Sequence, residues 1–268
     1  SAGDQFGQSD ALSSDGTILA VGAPYNDGTG SDAGHVRVFE YSSGSWSQLG
    51  SDIDGEFSGD YFGWSIDLST NGENLAVGAP LNNSNYDHFR VYNYLNNSWT
   101  QVGTDIDGSL QNGYFGYSLS ISNDGNTVIS GLLRHFNDGS SQVKVYTLSN
   151  GSWTQKGSSL LSIQDQEYFG ESVSISGDGS LVAVGAYDHD GTTYNSVGRA
   201  VLYKYTNSDW VQILGTMTGV VSGDRLGETV VISPNGEVLS IGIRNLDDGS
   251  SSNVGAVRVF TDLETSGL

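Results

Sequence analysis

The sequence predicts an all-β chain: a five-bladed β-propeller of four-stranded antiparallel blades, the last blade lacking its outer strand. Three observations carry this. A five-residue mark recurs five times along 268 residues. Four strand-like runs follow each mark. One run per copy is apolar throughout, as a strand covered on both faces requires. The marks are GDQFG (Gly3 to Gly7), GDYFG (Gly59 to Gly63), NGYFG (Asn112 to Gly116), QEYFG (Gln166 to Gly170) and GDRLG (Gly223 to Gly227), with last glycines 53 to 57 residues apart. A period that long, enclosing four strands, points to a propeller. The copies span approximately 3–58, 59–111, 112–165, 166–222 and 223–268 of one domain.

Within a copy the elements follow in a fixed order. A hydroxyl sits two residues after the last glycine of the mark, at Ser9, Ser65, Ser118, Ser172 and Thr229, and opens the first strand. Next comes Asp-Gly or Asn-Gly, as at Asp15-Gly16 and Asn71-Gly72. That pair predicts a two-residue hairpin turn with positive φ. The second strand is continuously apolar, as in Ile18-Leu19-Ala20-Val21 and Leu181-Val182-Ala183-Val184. A third strand alternates, as in Val36-Arg37-Val38-Phe39. The fourth carries one tryptophan per copy (Trp46, Trp99, Trp153, Trp210), which predicts an indole in each interblade core. The fifth copy reaches only its third strand, and the chain opens two residues before the first mark. Both edges predict a portion of a larger protein, or a blade that closes with three strands.

Composition narrows the function classes. Ten Lys and Arg stand against 31 Asp and Glu, giving a formal net charge of −21 and a pI near 4.1. Nucleic acid is excluded as a partner, because phosphate binding rests on basic side chains that release counterions. An anionic membrane surface is disfavoured for the same reason. No apolar run reaches the ~18 residues of a spanning helix, so membrane insertion is not expected. The absence of Cys removes disulfides, thiol catalysis and Cys-ligated zinc. Strong acidity favours an extracellular or cell-surface setting.

The FG of the mark and the Gly-Ala-Pro that ends the apolar strand (Gly22-Ala23-Pro24, Gly78-Ala79-Pro80) together resemble the FG-GAP repeat. That repeat builds the propeller of integrin α-subunits and many secreted microbial and algal proteins. The resemblance implies adhesion, ligand binding or scaffolding, commonly with calcium, and no single chemistry. In the integrin-like version a DxDxDG calcium loop lies between the FG and GAP strands. Here that connection is a bare Asp-Gly or Asn-Gly, so the family's calcium residues have no counterpart.

Candidate sites follow from loop chemistry. Antiparallel order gathers the long loops at one end of each blade, where 18 of the 31 acids are expected, forming an acidic face for a protein or glycan ligand or for Ca²⁺. The sharpest metal candidate is Asp188, Asp190 and Thr192, whose alternate oxygens resemble the start of an EF-hand loop. Asp27, Asp32, Asp247 and Asp248 are further candidates. Asp52 and Asp54, repeated as Asp105 and Asp107, place two carboxylates on one strand face. Tyr25, Tyr86, Tyr187 and Tyr194 at the same end suit sugar stacking, as does Trp64, which falls outside the tryptophan register. The four histidines lack a common metal spacing and are expected to be structural or solvated. Arg37, Arg90, Lys144 and Arg258 recur in register and should bridge neighbouring strands. Sequons stand at Asn82, Asn96 and Asn150.

Three functions fit: a non-catalytic adhesion or scaffolding propeller, a structural subunit of an extracellular assembly, and a glycosidase-like enzyme. The enzyme would use the acids of the marks (Asp4, Asp60, Glu167, Asp224) as a carboxylate pair. An acid recurring at one repeat position more simply serves every blade, by accepting backbone N–H groups.

Overall fold

The computed structural model describes residues 3–81, 87–108, 113–133, 141–246 and 253–263, and every element in them is a β-strand. In the first copy β1 (Ser9–Leu12), β2 (Ile18–Ala23), β3 (His35–Ser42) and β4 (Ser45–Gln48) pair in that order, each antiparallel to the next. A short β5 (Ile53–Asp54) pairs with the start of β3, while β4 pairs with its end. The outer strand is thus one strand broken in two, around Leu49 to Asp52. The second, third and fourth copies repeat the arrangement, with the outer strand broken into Ser98–Gln101 and Ile106–Asp107, Ser152–Gln155 and Leu160–Leu161, and Asp209–Gln212 and Met217–Thr218. The fifth sheet has three strands, Leu226–Ile232, Val238–Ile243 and Ala256–Thr261.

The chain forms two compact units. One comprises residues up to 128 plus 146–154, the other 129–145 plus 155 onward. In the first, Val36, Val38, Phe62, Leu75 and Val77 share one core. The second has two cores, one around Val143, Phe169, Val182 and Val184 and the other around Leu202, Leu226, Leu239 and Ile241. The apolar second strands of the first four copies are buried along nearly their whole length, as their composition demanded, whereas that of the fifth alternates buried and half-buried residues.

The recurring hydroxyls stitch first strands together. Ser9 Oγ donates to the Gly63 carbonyl and Ser65 Oγ to that of Gly116, each at 2.7 Å. Ser172 Oγ accepts from Val230 N at 2.9 Å. Close approach explains the glycine of GAP: a Cβ at Gly78 would press on the Gly116 carbonyl and Ser65 Oγ.

The structure corrects two expectations, the second in part. The connection after the first strand is not a two-residue turn. Gly16 has φ +73° but Asp15 is not left-handed, and the closing bond runs from Ser13 N to Ile18 O. Ser13 Oγ donates to Asp15 Oδ1 (2.7 Å) and accepts from Ile18 N (2.9 Å), while Thr17 N donates to Asp15 Oδ1. The same Ser-x-Asp/Asn-Gly brace recurs from Ser69, Ser122, Ser176 and Ser233. A side-chain-built turn needs only one left-handed residue, so Asp or Asn keeps ordinary φ.

The tryptophans meet the core expectation unevenly: Trp210, 8% exposed, belongs to the core around Val143 and Val184, and Trp99 packs against the core of the first unit, whereas Trp46 is 45% exposed. Each of the last three indoles donates Nε1 to the preceding copy where its outer strand breaks: Trp99 to Leu49 O, Trp153 to Val102 O and Trp210 to Lys156 O, at 2.7–2.9 Å. Each also lies over the adjoining glycine, Gly50, Gly103 or Gly157. The indole is a clip between outer strands, polar at one edge and apolar over its face.

Candidate functional site

The acids of the marks are structural. Asp60 Oδ2 accepts from Phe57 N, Glu167 Oε1 from Ile163 N, and Asp224 Oδ2 from Val220 N and Val221 N, all at 2.8–2.9 Å. Asp4 accepts from Asn26 Nδ2. In the third copy, where Gly113 replaces the acid, Asp87 of the copy before accepts from Tyr114 N at 2.7 Å. All five carboxyls are buried. These acids therefore form no surface charge, and the acidic loop end is weaker than its acid count suggested. Burial would raise the Glu167 carboxyl. The guanidinium of Arg199, gripping both its oxygens at 2.7 and 2.9 Å, holds it below the ordinary range instead.

Two positions of the mark behave differently from the scaffold. The residue before its Phe or Leu is left-handed in every copy: Gln5, Tyr61, Tyr114, Tyr168 and Arg225, with φ of 51–57°. The residue after the last glycine varies in chemistry: Gln8, Trp64, Tyr117, Glu171, Glu228. In the first unit these positions and Tyr25 build a half-buried aromatic cluster. Tyr25 meets Tyr61 edge-on at 5.1 Å, and Trp64 lies 6.3 Å from Tyr61, 6.5 Å from Tyr25 and 5.4 Å from Tyr117.

In the second unit the same positions are charged. Burial, then the neighbouring Glu228, pushes the Glu171 carboxyl up to about 7, while Tyr187 hydrogen-bonds it. Glu228 is held by Arg244 at 2.7 Å. Oε2 of each glutamate is buried without a hydrogen-bond partner. Tyr187 stacks on Tyr168 at 5.1 Å, and the Arg225 guanidinium lies 5.3 Å from its ring centre. Burial and then the Glu171 charge raise the Tyr187 hydroxyl as well. Glu171 and Glu228 are functional candidates that sequence reasoning missed. Their signal was a repeat position whose residue changes chemistry beside one that does not.

The loop after the fourth apolar strand parts its acids. Asp188 lies electrostatically beside Glu171 and Tyr187, whereas Asp190, Thr192 and Tyr194 line a cavity of about 570 Å³ with Gln164, Thr193 and Thr218. The cavity wall is braced. Gln164 exchanges two bonds with the Asp190 backbone (2.9 and 3.1 Å), Asp190 Oδ1 accepts from Ser196 N (2.8 Å), and Gly191 N donates to Tyr194 O (2.8 Å). Tyr194 stays 48% exposed. A volume in the range of small-ligand pockets, with convergent hydroxyl, amide and carboxylate groups and one open aromatic face, suits a sugar.

Acidic groups that could hold a metal ion occur elsewhere. Single donor atoms of His35, Asp52 and Asp54 lie within 4.8 Å of one another, as do those of His88, Asp105 and Asp107. Asp52 is shared with Arg37 (2.8 Å) and Gln48, and Asp105 with Arg90 (2.7 Å) and Gln101. The two arginines thus bridge strands as their register suggested. Asp27 Oδ1 accepts from Asp32 N at 3.0 Å; Asp27 is exposed and Asp32 half-buried. Tyr86, Asp247 and Asp248 lie outside the described residues.

The sequence model of the FG-GAP repeat matches residues 1–39 and 163–203. No curated protein matches the chain in sequence. Among solved structures, hydrazine synthase from Kuenenia stuttgartiensis is similar at 14% identity and TM-score 0.60, over 88% of this chain and 61% of that one. TolB from Acinetobacter baumannii is similar at 16% and 0.52, over 96% and 52%. The β-propeller domain of the Trilobed protease from Pyrococcus furiosus is similar at 10% and 0.56, over 95% and 68%. At such identities the likeness shows the fold alone, a β-propeller. The chain spans about three-fifths of the hydrazine synthase chain and half of the TolB chain.

Proposed function

From the premise that this chain is a β-propeller carrying FG-GAP repeats, we propose that it is an extracellular or cell-surface binding propeller without catalysis, recognising a glycan. The observation that supports this best is the braced cavity beside Tyr194. Its backbone is fixed before any ligand arrives, which limits the ordering cost of binding. Tyr194 supplies a stacking face, and Asp190, Thr192, Thr193 and Gln164 supply hydrogen-bonding groups for hydroxyls. The aromatic cluster around Trp64 is a second platform of the same chemistry. Calcium dependence is a further part of this reading, resting on oxygen donors at Asp190 and Thr192, and its test is whether Ca²⁺ raises the melting temperature.

The test is a glycan array followed by calorimetric titration of the best hit. Tyr194→Ala is expected to weaken binding at least tenfold with unchanged melting. If Trp64→Ala weakens it and Tyr194→Ala does not, the platform is the aromatic cluster. Absence of any glycan hit by folded protein removes the reading.

One observation favours an enzymatic alternative: in the Glu171–Glu228 pair one carboxyl is raised by burial and the other is paired with Arg244, two environments of the kind that glycoside hydrolysis uses. Hydrolysis abolished by Glu171→Gln would support it over pure binding.

A further inference from the structure

The first two copies share a constellation that the others lack as a set. The start of the third strand carries His35 and His88, paired across the sheet with Asp54 and Asp107 of the short outer strand. Asp52 and Asp105 stand two residues earlier, in the break just before that short strand. In the fourth copy the histidine position is Arg199 and its cross-strand partner is Thr218. There Arg199 grips the buried Glu167 of the mark directly, at 2.7 and 2.9 Å. A fixed cation thus sits in the fourth copy where the first two hold an imidazole between carboxylates.

The fourth copy also shows that the mark's acid and the start of the third strand are side-chain neighbours. In the second copy that acid is Asp60, only 1% exposed. Its Oδ2 accepts from Phe57 N, but its Oδ1 is buried with no hydrogen-bond partner, and the charges acting on it are those of His88 and Arg90. A buried carboxylate oxygen without a donor is costly unless a cation approaches it. Arg90 is already committed to Asp105 and Glu56, at 2.7 and 2.9 Å.

We propose that the second copy holds a divalent first-row transition-metal site of the zinc class, ligated by His88, Asp107 and Asp105 with Asp60 behind them, and that His35, Asp54 and Asp52 form its counterpart in the first copy. The donor set decides the ion. Calcium takes oxygen ligands, whereas imidazole with carboxylates suits zinc and its neighbours. Donors within 4.8 Å of one another need close only to about 3.3 Å to surround an ion at ~2.0 Å tetrahedrally. Arg90 and Arg37 then act as outer partners that orient Asp105 and Asp52. This proposal is independent of the glycan reading.

The test is equilibrium binding of Zn²⁺ to the whole chain, with Co²⁺ as a spectroscopic substitute. Wild-type protein is expected to take up two equivalents and to show visible Co²⁺ bands of mixed nitrogen and oxygen ligation. His35→Ala and His88→Ala should each lose one equivalent, and the double variant both. Because His88 is buried, the exposed Asp107→Asn is the companion variant, expected to fold normally and bind the second equivalent at least tenfold more weakly. Two retained equivalents in the folded double variant, unaltered uptake in Asp107→Asn, or no uptake by wild type would each overturn the proposal. Preference for Ca²⁺ over Zn²⁺ at these residues would overturn the ion assignment.

Discussion

Replacing Arg199 by Met isolates a fully buried ion pair, that of Arg199 with Glu167. Glu167 and Arg199 side chains are 0% and 3% exposed and meet at 2.7 and 2.9 Å, with His189 Nδ1 at 2.7 Å on the same carboxylate. Methionine keeps most of the volume but removes the charge, leaving a buried carboxylate short of a counterion. Breaking such a pair costs about 3–5 kcal/mol. For a domain of this size each kcal/mol lowers the melting temperature by roughly 2–4 °C, so a drop of about 6–20 °C is expected.

The pH dependence carries the argument further. In the wild type Glu167 lies below its ordinary value, so its contribution is present at neutral pH and lost only on strong acidification. Without Arg199, burial dominates and raises the carboxyl, which then takes a proton as pH falls. The stability deficit should therefore be largest near pH 7.5 and shrink toward pH 5. Calorimetric melts across that range measure it. A deficit under ~1 kcal/mol, or one that does not change with pH, would show that lost packing and not the orphaned charge explains the cost.

Further outcomes follow from other contacts. Glu171 is raised to about 7 by burial and Glu228, while burial raises Asp67 and Asp87 to about 6. Each binds its proton more readily folded than unfolded, so stability should fall as pH rises from about 4.5 to 7. Glu171→Gln should flatten that slope by an amount on the order of 1 kcal/mol, once its partial exposure is allowed for, as urea melts at pH 5 and 8 would show. In the opposite sense, turn contacts from Ser13, Ser122 and Ser176 lower Asp15, Asp124 and Asp178, and their contribution is lost as pH drops below the ordinary carboxylate range. Ser122→Ala removes the acceptor of the Thr127 N–H at 2.9 Å. Chemical denaturation should show about 1–3 kcal/mol lost, the cost of an unsatisfied buried donor.

The repeat was legible because scaffold positions must be the same in every copy. The buried apolar strand, the Gly78 contact with Gly116, and the hydroxyl at Ser65 are each demanded by local geometry, and geometry that recurs selects residues that recur. The site was less legible because ligand chemistry is what differs between copies. Glu171 and Glu228 look ordinary in sequence and gain meaning only when two copies set them side by side. His88 looked structural because no short spacing links it to Asp105 and Asp107. The sheet brings them together through cross-strand register.

Fold class, number of copies and strand order were readable along the chain, since alternation, apolar runs and glycine marks are local signals with a fixed period. Which acids are surface charge and which are buried braces depends on long-range packing. Asp60 and Asp190 are the same residue type in loops of similar composition, yet Asp60 is buried against Phe57 N and Asp190 opens onto a cavity. A carboxylate's role depends on the donors and the water around it, and those are supplied by chain tens of residues away.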